Sequence, residues 1–320
     1  IEKKSTGEVA AYLKEHVGWS ELLRDVDISD IHRLRLESEL DAALYGEYRR
    51  IISFIPFEGR HLLHYPVIQA EVSQILSAIR NLSVGAAGKP QYGLPMKTKY
   101  KTDIDIGALA AAQNYPQLLD ALRNTDYNII LQRFKPQEGK TVDYPAVELA
   151  LDAYFYNRLF NLAGKAYAVQ TRRKLRNMYG EYVDVVNITR TLRLRRYFPD
   201  SAGEISMYLI PVYYKIKPEF LYDLVKMTNK SSALAALSAT PYGKYFGNTD
   251  YKYIESYHDR YLAKLYTHLI HAPSADLMVP VSYLNYKQLE IRNLIHIVEC
   301  VHYGVPAKTV LPYLITPERR

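Results

Sequence analysis

Three pairs of carboxylates, each spaced four residues apart, are the side chains of this sequence best suited to acid–base chemistry. The pairs are Glu37 with Asp41, Glu148 with Asp152, and Glu255 with Asp259. Residues four apart share one face of an α-helix, and neighbouring carboxylates raise each other's pKa, as general acid/base catalysis requires. Each pair, however, lies in the opening turns of a predicted helix, where the positive end of the helix dipole stabilises carboxylates. Three near-copies favour a structural role over catalysis.

The histidines and the single cysteine are weak candidates for a metal site or a nucleophile. The histidine pairs are His61 with His64, His268 with His271, and His296 with His302. The last two lie six residues apart and point to different sides of a helix, and no Cys pair accompanies them, so no zinc site is predicted. Cys300 lies within a predicted helix beside valines, which favours a packed thiol. We predict no catalytic, metal-binding or cofactor-binding residue.

The sequence from Glu138 to Thr141 resembles the end of a phosphate-binding loop. That loop needs a glycine five residues before its second glycine, and Phe134 occupies this position. Pro136 also interrupts the segment. Nucleotide binding is therefore not predicted here.

A basic stretch from Lys165 to Arg196 is a stronger candidate for binding a partner. It contains nine Lys or Arg residues against Glu181 and Asp184. Such a stretch can follow a phosphate backbone, dock on an acidic protein or form a solvated helix face. No helix-turn-helix, RRM or KH signature is present, so we favour a protein partner over nucleic acid. The candidate partner-binding residues are Arg190, Arg193, Arg195 and Arg196.

The carboxylate pairs belong to a two-helix pattern that occurs three times, about 110 residues apart. The first helices read LESELDAALYGEYRRII from Leu36, VELALDAYFYNRLFNLA from Val147 and IESYHDRYLAKLYTHLI from Ile254. Their apolar residues recur at steps of three and four, which predicts one buried stripe on each helix. Each second helix has an acid followed three residues later by an amide: Glu71 and Gln74, Asp184 and Asn187, Glu290 and Asn293. We expect these side chains to form capping or inter-helix hydrogen bonds.

Shorter helical units lie between the long helices. The unit from Asp105 to Tyr127 and the unit from Lys217 to Gly243 share an ending, and residues 8–27 resemble a third version. Strand alternation is weak, and the best candidate, MYLIPVYYKI from Met207, contains a proline. The sequence therefore predicts an all-α fold of three helical repeats, at residues 1–98, 99–202 and 203–320.

Composition narrows the class of protein further. A chain of 320 residues with 48% hydrophobic content can bury a sizeable core. One cysteine excludes an internal disulfide, and no secretory leader pattern opens the sequence, so we expect a cytoplasmic protein. No run approaches the eighteen or so apolar residues of a membrane span. The net charge of +7 favours an acidic partner surface: protein, nucleic acid or anionic lipid.

The repeated helices, the TPYG sequence from Thr240 and the ending EIRNLIHIVECVHYGVPAKTVLPYLI from Glu290 resemble the C subunit of prokaryotic V/A-type rotary ATPases, the relative of the d subunit of eukaryotic V-ATPases. The resemblance implies three similar helical subdomains arranged as a funnel about a pseudo-threefold axis. It also implies a non-catalytic central-rotor subunit on the cytoplasmic face of the membrane, without cofactor or small-molecule substrate. Its partners would be the central shaft and the membrane rotor ring of an ion-translocating, ATP-synthesising or ATP-hydrolysing complex.

Members of that family usually begin with a further helix upstream of the segment at Glu8, so we expect the first subdomain to be incomplete in this sequence. Two other functions stay open at the level of sequence. A basic helical-repeat protein that binds nucleic acid is the main alternative. A helical hydrolase that uses one carboxylate pair is the weaker one.

Overall fold

The chain is all-α, as predicted, in a computed structural model. The structure describes residues 3–16, 18–21, 23–28, 31–55, 64–83, 102–137, 140–164, 169–197, 209–227, 229–246, 254–272 and 277–315, and these contain no strand. The helices are α1 (Thr6–Glu15), α2 (Arg33–Phe54), α3 (Tyr65–Ser83), α4 (Ile106–Ala111), α5 (Tyr115–Ala121), α6 (Asp126–Leu131), α7 (Tyr144–Gly164), α8 (Val169–Tyr197), α9 (Pro218–Lys226), α10 (Lys230–Ser238), α11 (Gly243–Phe246), α12 (Ile254–Ile270), α13 (Met278–His302) and α14 (Ala307–Val310).

Six long helices form the body of the molecule. The first helices of the repeats are α2, α7 and α12, and the second helices are α3, α8 and α13. Each second helix packs against the first helix of another repeat: α3 against α7, α8 against α12, and α13 against α2. The contact between α13 and α2 joins the last repeat to the first, so the three repeats contact one another in a closed cycle.

The predicted apolar stripes are buried or half-buried where the structure describes them. On α2, Leu36 and Leu40 are fully buried, and on α7, Val147 and Leu151 are fully buried. Burying each such side chain contributes about 2 kcal/mol, which is why tertiary packing, more than helix propensity, determines these helices.

A buried acid on each of two second helices holds the segment that follows it. The Asp184 carboxylate of α8 accepts hydrogen bonds from three consecutive backbone N–H groups, those of Tyr214 at 3.1 Å, Lys215 at 2.7 Å and Ile216 at 3.1 Å. It also accepts one from the Tyr242 hydroxyl at 2.9 Å. One carboxylate therefore pairs with the backbone N–H groups of the segment before α9, and it also holds the small helical unit that follows this segment.

Glu71 on α3 has the same role in the first repeat. Its carboxylate accepts hydrogen bonds from the Thr102 hydroxyl at 2.8 Å, the Asp103 backbone N–H at 2.9 Å and the Tyr127 hydroxyl at 2.8 Å. Tyr127 ends one small helical unit and Tyr242 ends the next. The shared sequence ending of these units is thus explained by a shared hydrogen bond.

The amide that follows the acid also binds the connecting segment. Asn187 exchanges two hydrogen bonds with the backbone of Ile210, at 3.0 and 2.8 Å. Asn293 exchanges the same two bonds with the backbone of Ile315, at 2.7 and 3.0 Å. The hydrogen-bonding role expected for these residues is confirmed at both positions.

The N-terminal segment packs on the third repeat. The Trp19 indole N–H donates to the Glu290 carboxylate of α13 at 3.1 Å. Lys287 lies 4.0 Å from the centre of the Trp19 ring and 3.1 Å from Glu290. Around this contact, a second core cluster joins residues of α1, α2 and α13. Trp19 thus gives the third acid the hydrogen-bond donor that Tyr127 and Tyr242 give the other two.

We predict that Asp184→Asn destabilises the fold by about 2 to 4 kcal/mol, because an amide N–H₂ would face backbone donors that need an acceptor. The free energy of unfolding in urea measures this effect. Asp223→Asn, at an exposed residue of α9, is the matched control and should change it by less than about 0.5 kcal/mol. Equal stability of the two variants would contradict the structural role of Asp184.

Candidate functional site

Five of the long helices surround a small, partly open cavity, about 30 Å³ in volume, that is the candidate site of this molecule. Its wall takes side chains from α3, α7, α8, α12 and α13. A second part of the same space extends toward the carboxyl-terminal half of α8. The polar and charged residues that line the two parts are Tyr65, Gln69, Asp152, Tyr156, Tyr179, Tyr182, Arg190, Tyr266, Asn285, Gln288 and Arg292.

Tyrosine rings form much of this wall. The rings of Tyr65 and Tyr179 lie 6.1 Å apart at 67°, and those of Tyr156 and Tyr182 lie 5.8 Å apart. Burial raises the pKa of Tyr156, Tyr179 and Tyr266 well above the ordinary tyrosine value. Their hydroxyls therefore stay protonated at physiological pH and act as neutral hydrogen-bond donors and acceptors.

Two buried polar groups at the wall have hydrogen-bonding capacity to spare. The Tyr65 hydroxyl donates to Asn285 Oδ1 at 3.0 Å. The Asn285 amide nitrogen and the Tyr179 hydroxyl are buried and act on each other, but their contact falls short of a well-aligned hydrogen bond. Because leaving a buried polar group unpaired costs about 1 to 3 kcal/mol, a polar surface entering the cavity gains by pairing with them.

The carboxylate pairs place ion pairs at the same wall. Asp152 of α7 pairs with Arg190 of α8, and Asp259 of α12 pairs with Arg292 of α13 at 2.7 Å. His258 Nδ1 also lies 2.9 Å from the Asp259 carboxylate. We expected these acids to be helix-start residues stabilised by the dipole, which is wrong for α2 and α7, because these helices begin earlier and have no acid in their first turn. Asp152 and Asp259 have inter-helix partners instead. Each pair ties a first helix to the second helix of its own repeat.

Asp41, the equivalent acid of the first repeat, has a different environment. It forms no ion pair within the described part of the chain, whereas Glu37 lies 3.5 Å from Arg33. Burial and the neighbouring charge of Glu37 raise the pKa of Asp41 to about 6. The Glu255 side chain of the third pair lies outside the described residues.

Comparison with known proteins identifies the family of this chain. Residues 1–313 match the model of the ATP synthase (C/AC39) subunit family. The chain belongs to this family. The C subunit of the A-type ATP synthase of Methanosarcina acetivorans is 27% identical over 270 residues, which cover 81% of this chain and 71% of that protein. The resemblance to the C subunit seen in the sequence is confirmed.

Two further relatives align with more of the chain. The C subunit of the A-type ATP synthase of Methanobrevibacter smithii is 22% identical over 306 residues, 92% of this chain and 76% of that protein. The corresponding protein of Thermococcus kodakarensis is 23% identical over 316 residues, 94% of this chain and 80% of that protein. The similarity thus extends across all three repeats.

The four arginines singled out in the sequence are buried to different degrees. Arg190 is half-buried at the cavity wall, and Arg193 is exposed one turn further along α8. Arg195 is partly buried and its Nη1 has no hydrogen bond within the described residues. The Arg196 side chain lies outside the described residues. Arg190 and Arg193 both act on Glu148, whose pKa is nevertheless raised by burial and by Asp152.

Sequence reasoning missed most of the wall of the cavity. Tyr65, Tyr182, Asn285 and Arg292 lie on three different helices and share no local motif. The one available signal was composition, because 30 tyrosines against one tryptophan indicate many ring surfaces that meet a polar boundary.

The other candidate sites have no cluster around them in the described residues. There, no group of three or more His, Cys, Asp or Glu side chains is arranged to hold a metal ion. Cys300 is half-buried, and burial raises the pKa of its thiol, as expected for a packed cysteine. His61, Glu138 and Gly139 lie outside the described residues. Among the described helices, none combines the length and the apolar character needed to cross a bilayer.

We predict that Asp41→Asn stabilises the protein above pH 6 by about 1 kcal/mol or less. The folded-state pKa of Asp41, about 6, exceeds that of an unfolded aspartate, so ionisation opposes folding increasingly as the pH rises between about 4 and 6. The gain is small because the side chain keeps contact with solvent. Urea unfolding at about pH 7.5 and at about pH 4 measures the difference in the free energy of unfolding between the variant and the parent protein. This difference should disappear at the lower pH.

Asp259→Asn should change the stability in the opposite direction from Asp41→Asn. Although burial opposes it, the hydrogen bond from His258 and the charge of Arg292 lower the pKa of Asp259. Its stabilisation is therefore present above the unfolded-state pKa and is lost as the pH falls through the folded-state value. The variant should lose about 2 to 4 kcal/mol at neutral pH and less in acid. Identical pH profiles for the two variants would contradict this account of both sites.

Proposed function

We propose that this chain is a non-catalytic central-rotor subunit of a V/A-type ATPase or ATP synthase. It acts as a socket that links the central shaft to the membrane rotor ring and transmits torque for ion translocation. It would work at the cytoplasmic face of the membrane as a peripheral subunit. The observation that carries the proposal is a closed cycle of three helical repeats, five of whose long helices line a cavity, in a member of the C/AC39 family.

The chemistry of the cavity suits the polar end of a protein shaft. Its wall offers neutral tyrosine hydroxyls and the amides of Gln69, Asn285 and Gln288. The charges of Arg190 and Arg292 are already balanced by Asp152 and Asp259. A polar helical surface can therefore bind there without leaving a buried charge unpaired.

Torque transmission requires a stiff body, and the contacts between repeats support one. The pairing of α3 with α7, α8 with α12 and α13 with α2 repeats itself around the cycle. We infer from this pattern three similar subdomains about a pseudo-threefold axis, forming a funnel, with the repeats at 1–98, 99–202 and 203–320. Closely packed helices resist compression, so rotation of the shaft would pass to the ring with little deformation.

Co-expression with the shaft and rotor-ring subunits of the same organism tests the proposed function. We expect an affinity-tagged chain to retain both partners when the membranes are solubilised in a neutral detergent at moderate salt. Retention of neither partner would show that the proposal is wrong.

Substitutions that fill the cavity should weaken binding of the shaft without weakening binding of the rotor ring. We predict that Gln69→Arg with Gln288→Arg weakens shaft binding at least tenfold, since two long cations would enter a space whose charges are already balanced; tenfold corresponds to about 1.4 kcal/mol. Ring binding should persist. Gln117→Arg with Gln137→Arg, at exposed residues, is the matched control. Circular dichroism and urea unfolding check that both variants fold, and normal shaft binding by the first variant would exclude the cavity as the socket.

The arginines of α8 should accelerate association with the shaft by electrostatic attraction. We predict that Arg193→Glu with Arg196→Glu slows association with the shaft severalfold and reduces its dependence on salt, because rim charges act mainly on the association rate. Stopped-flow or surface-based kinetics at low and high salt measure this. Unchanged assembly and unchanged salt dependence would remove these arginines from the partner-binding surface.

A further inference from the structure

At one end of the helix cycle, the end of a first helix meets the start of a second helix. Arg33 pairs with Glu299 at 3.1 Å, and the Tyr283 hydroxyl donates to Glu47 at 3.3 Å. These two contacts make α2 and α13 antiparallel. The carboxyl-terminal end of α2 and the amino-terminal end of α13 therefore lie together.

The other long helices follow the same arrangement. Arg190 pairs with Asp152, and the ring of Tyr182 lies 5.8 Å from that of Tyr156, which makes α7 and α8 antiparallel. The Ser282 hydroxyl of α13 lies 3.7 Å from the Met178 sulfur of α8, so the starts of these two helices lie at one level. We call this end of the cycle the turn end. Asp152, paired with Arg190, and Glu299, paired with Arg33, lie toward the opposite end, whereas Glu47 lies at the turn end.

Within the described residues, the turn end is rich in cations, some of which pair with acids: Arg50 lies 3.2 Å from Glu21 and 3.6 Å from Glu47, and Arg158 lies 3.4 Å from Asp126. Between Asp152 and Glu181 the sequence has six Lys or Arg residues and neither Asp nor Glu. Across the described residues of 48–70, 153–180 and 260–289, the cations are Arg49, Arg50, Arg158, Arg172, Arg173, Lys174, Arg176, Arg260, Lys264 and Lys287, and no acid is present.

Three of these cations are left exposed at an unfavourable position. Arg172, Arg173 and Arg176 lie in the first turns of α8, are exposed, and form no ion pair with any described residue. Cations are unfavourable at the amino-terminal end of a helix, because the helix dipole is positive there. Helix stability therefore does not account for this cluster. An anionic surface outside the chain does.

Exposed apolar side chains project beyond the same cluster. Phe54, at the end of α2, is 82% exposed, and Val169, at the start of α8, is 70% exposed. With a rise of about 1.5 Å per residue, Val169 lies about 14 Å beyond the level of Met178 and Phe54 about 10 Å beyond that of Glu47. Both therefore lie at the outer limit of the described turn end.

We propose that the turn end rests on anionic lipid head groups. Arg172, Arg173 and Arg176 bind the head-group phosphates, and Phe54 and Val169 enter the boundary between head groups and acyl chains. Cations beside projecting apolar residues are typical of proteins that bind the membrane interface. An acidic protein surface would pair the arginines but would not account for apolar side chains projecting beyond them.

This inference goes beyond the proposed function, because it gives the molecule an orientation. The turn end would face the membrane, and the opposite end, where Arg190 and Arg193 lie, would face the shaft. It also assigns a direct lipid contact to a subunit whose described helices do not cross the bilayer.

Co-sedimentation of the full chain with phosphatidylglycerol or phosphatidylcholine vesicles, at about 100 mM salt, tests the proposal. We expect at least tenfold stronger binding to the anionic vesicles. Arg172→Glu, Arg173→Glu and Arg176→Glu together should remove this preference, at least a tenfold loss. The matched control, Arg133→Glu, Lys135→Glu and Lys140→Glu, changes three exposed cations elsewhere and should lose less than about twofold. Phe54→Ser should weaken binding severalfold.

Three outcomes would overturn the proposal. They are equal binding to both kinds of vesicle, an unchanged preference in the Arg172 triple variant, and an equal loss in the control triple variant. If the Arg172 triple variant lost the rotor ring in neutral detergent and kept its lipid preference, the turn end would be a protein interface instead. The shaft and ring retention test uses no anionic lipid, so its failure is distinguishable from failure here.

Discussion

A buried carboxylate on the second helix of two repeats is the interaction on which the rest of the structure depends. Asp184 pairs with three backbone N–H groups and one tyrosine hydroxyl, and Glu71 has an equivalent set of donors. A long connection would otherwise leave these N–H groups unpaired beside an apolar core. Because the acid binds both the connection and the small helical unit beyond it, the small units keep a defined position around the long helices.

The closed cycle of the three repeats then separates two kinds of surface. Inside, neutral tyrosines and amides stand beside balanced ion pairs such as Asp259 with Arg292, which suits a polar protein segment. At the turn end, Arg172, Arg173 and Arg176 face solvent and pair with no described acid, which suits an anionic surface. The proposed rotor role would use both surfaces, one to hold a shaft and the other to stand at a membrane.

Much of the fold was accessible from sequence because its signals are local. The apolar stripe of Leu36 and Leu40 predicted α2, and the acid with the amide three residues later predicted hydrogen bonding by Asp184 and Asn187, as observed. The cavity was not accessible. Tyr65 meets Asn285 across 220 positions of sequence, and no periodicity within one helix reports which distant helix it will face.

The sequence by itself determined the helical class, the threefold repetition, the excess of positive charge and the resemblance to the C subunit of V/A-type ATPases, because composition and spacing along the chain carry these properties. Only the tertiary structure decided where the charge matters. Arg190 and Arg172 belong to one basic stretch, yet the antiparallel packing of α7 and α8 brings Arg190 to Asp152 and leaves Arg172 exposed. A helix of 29 residues is about 40 Å long, so its two ends meet different surroundings.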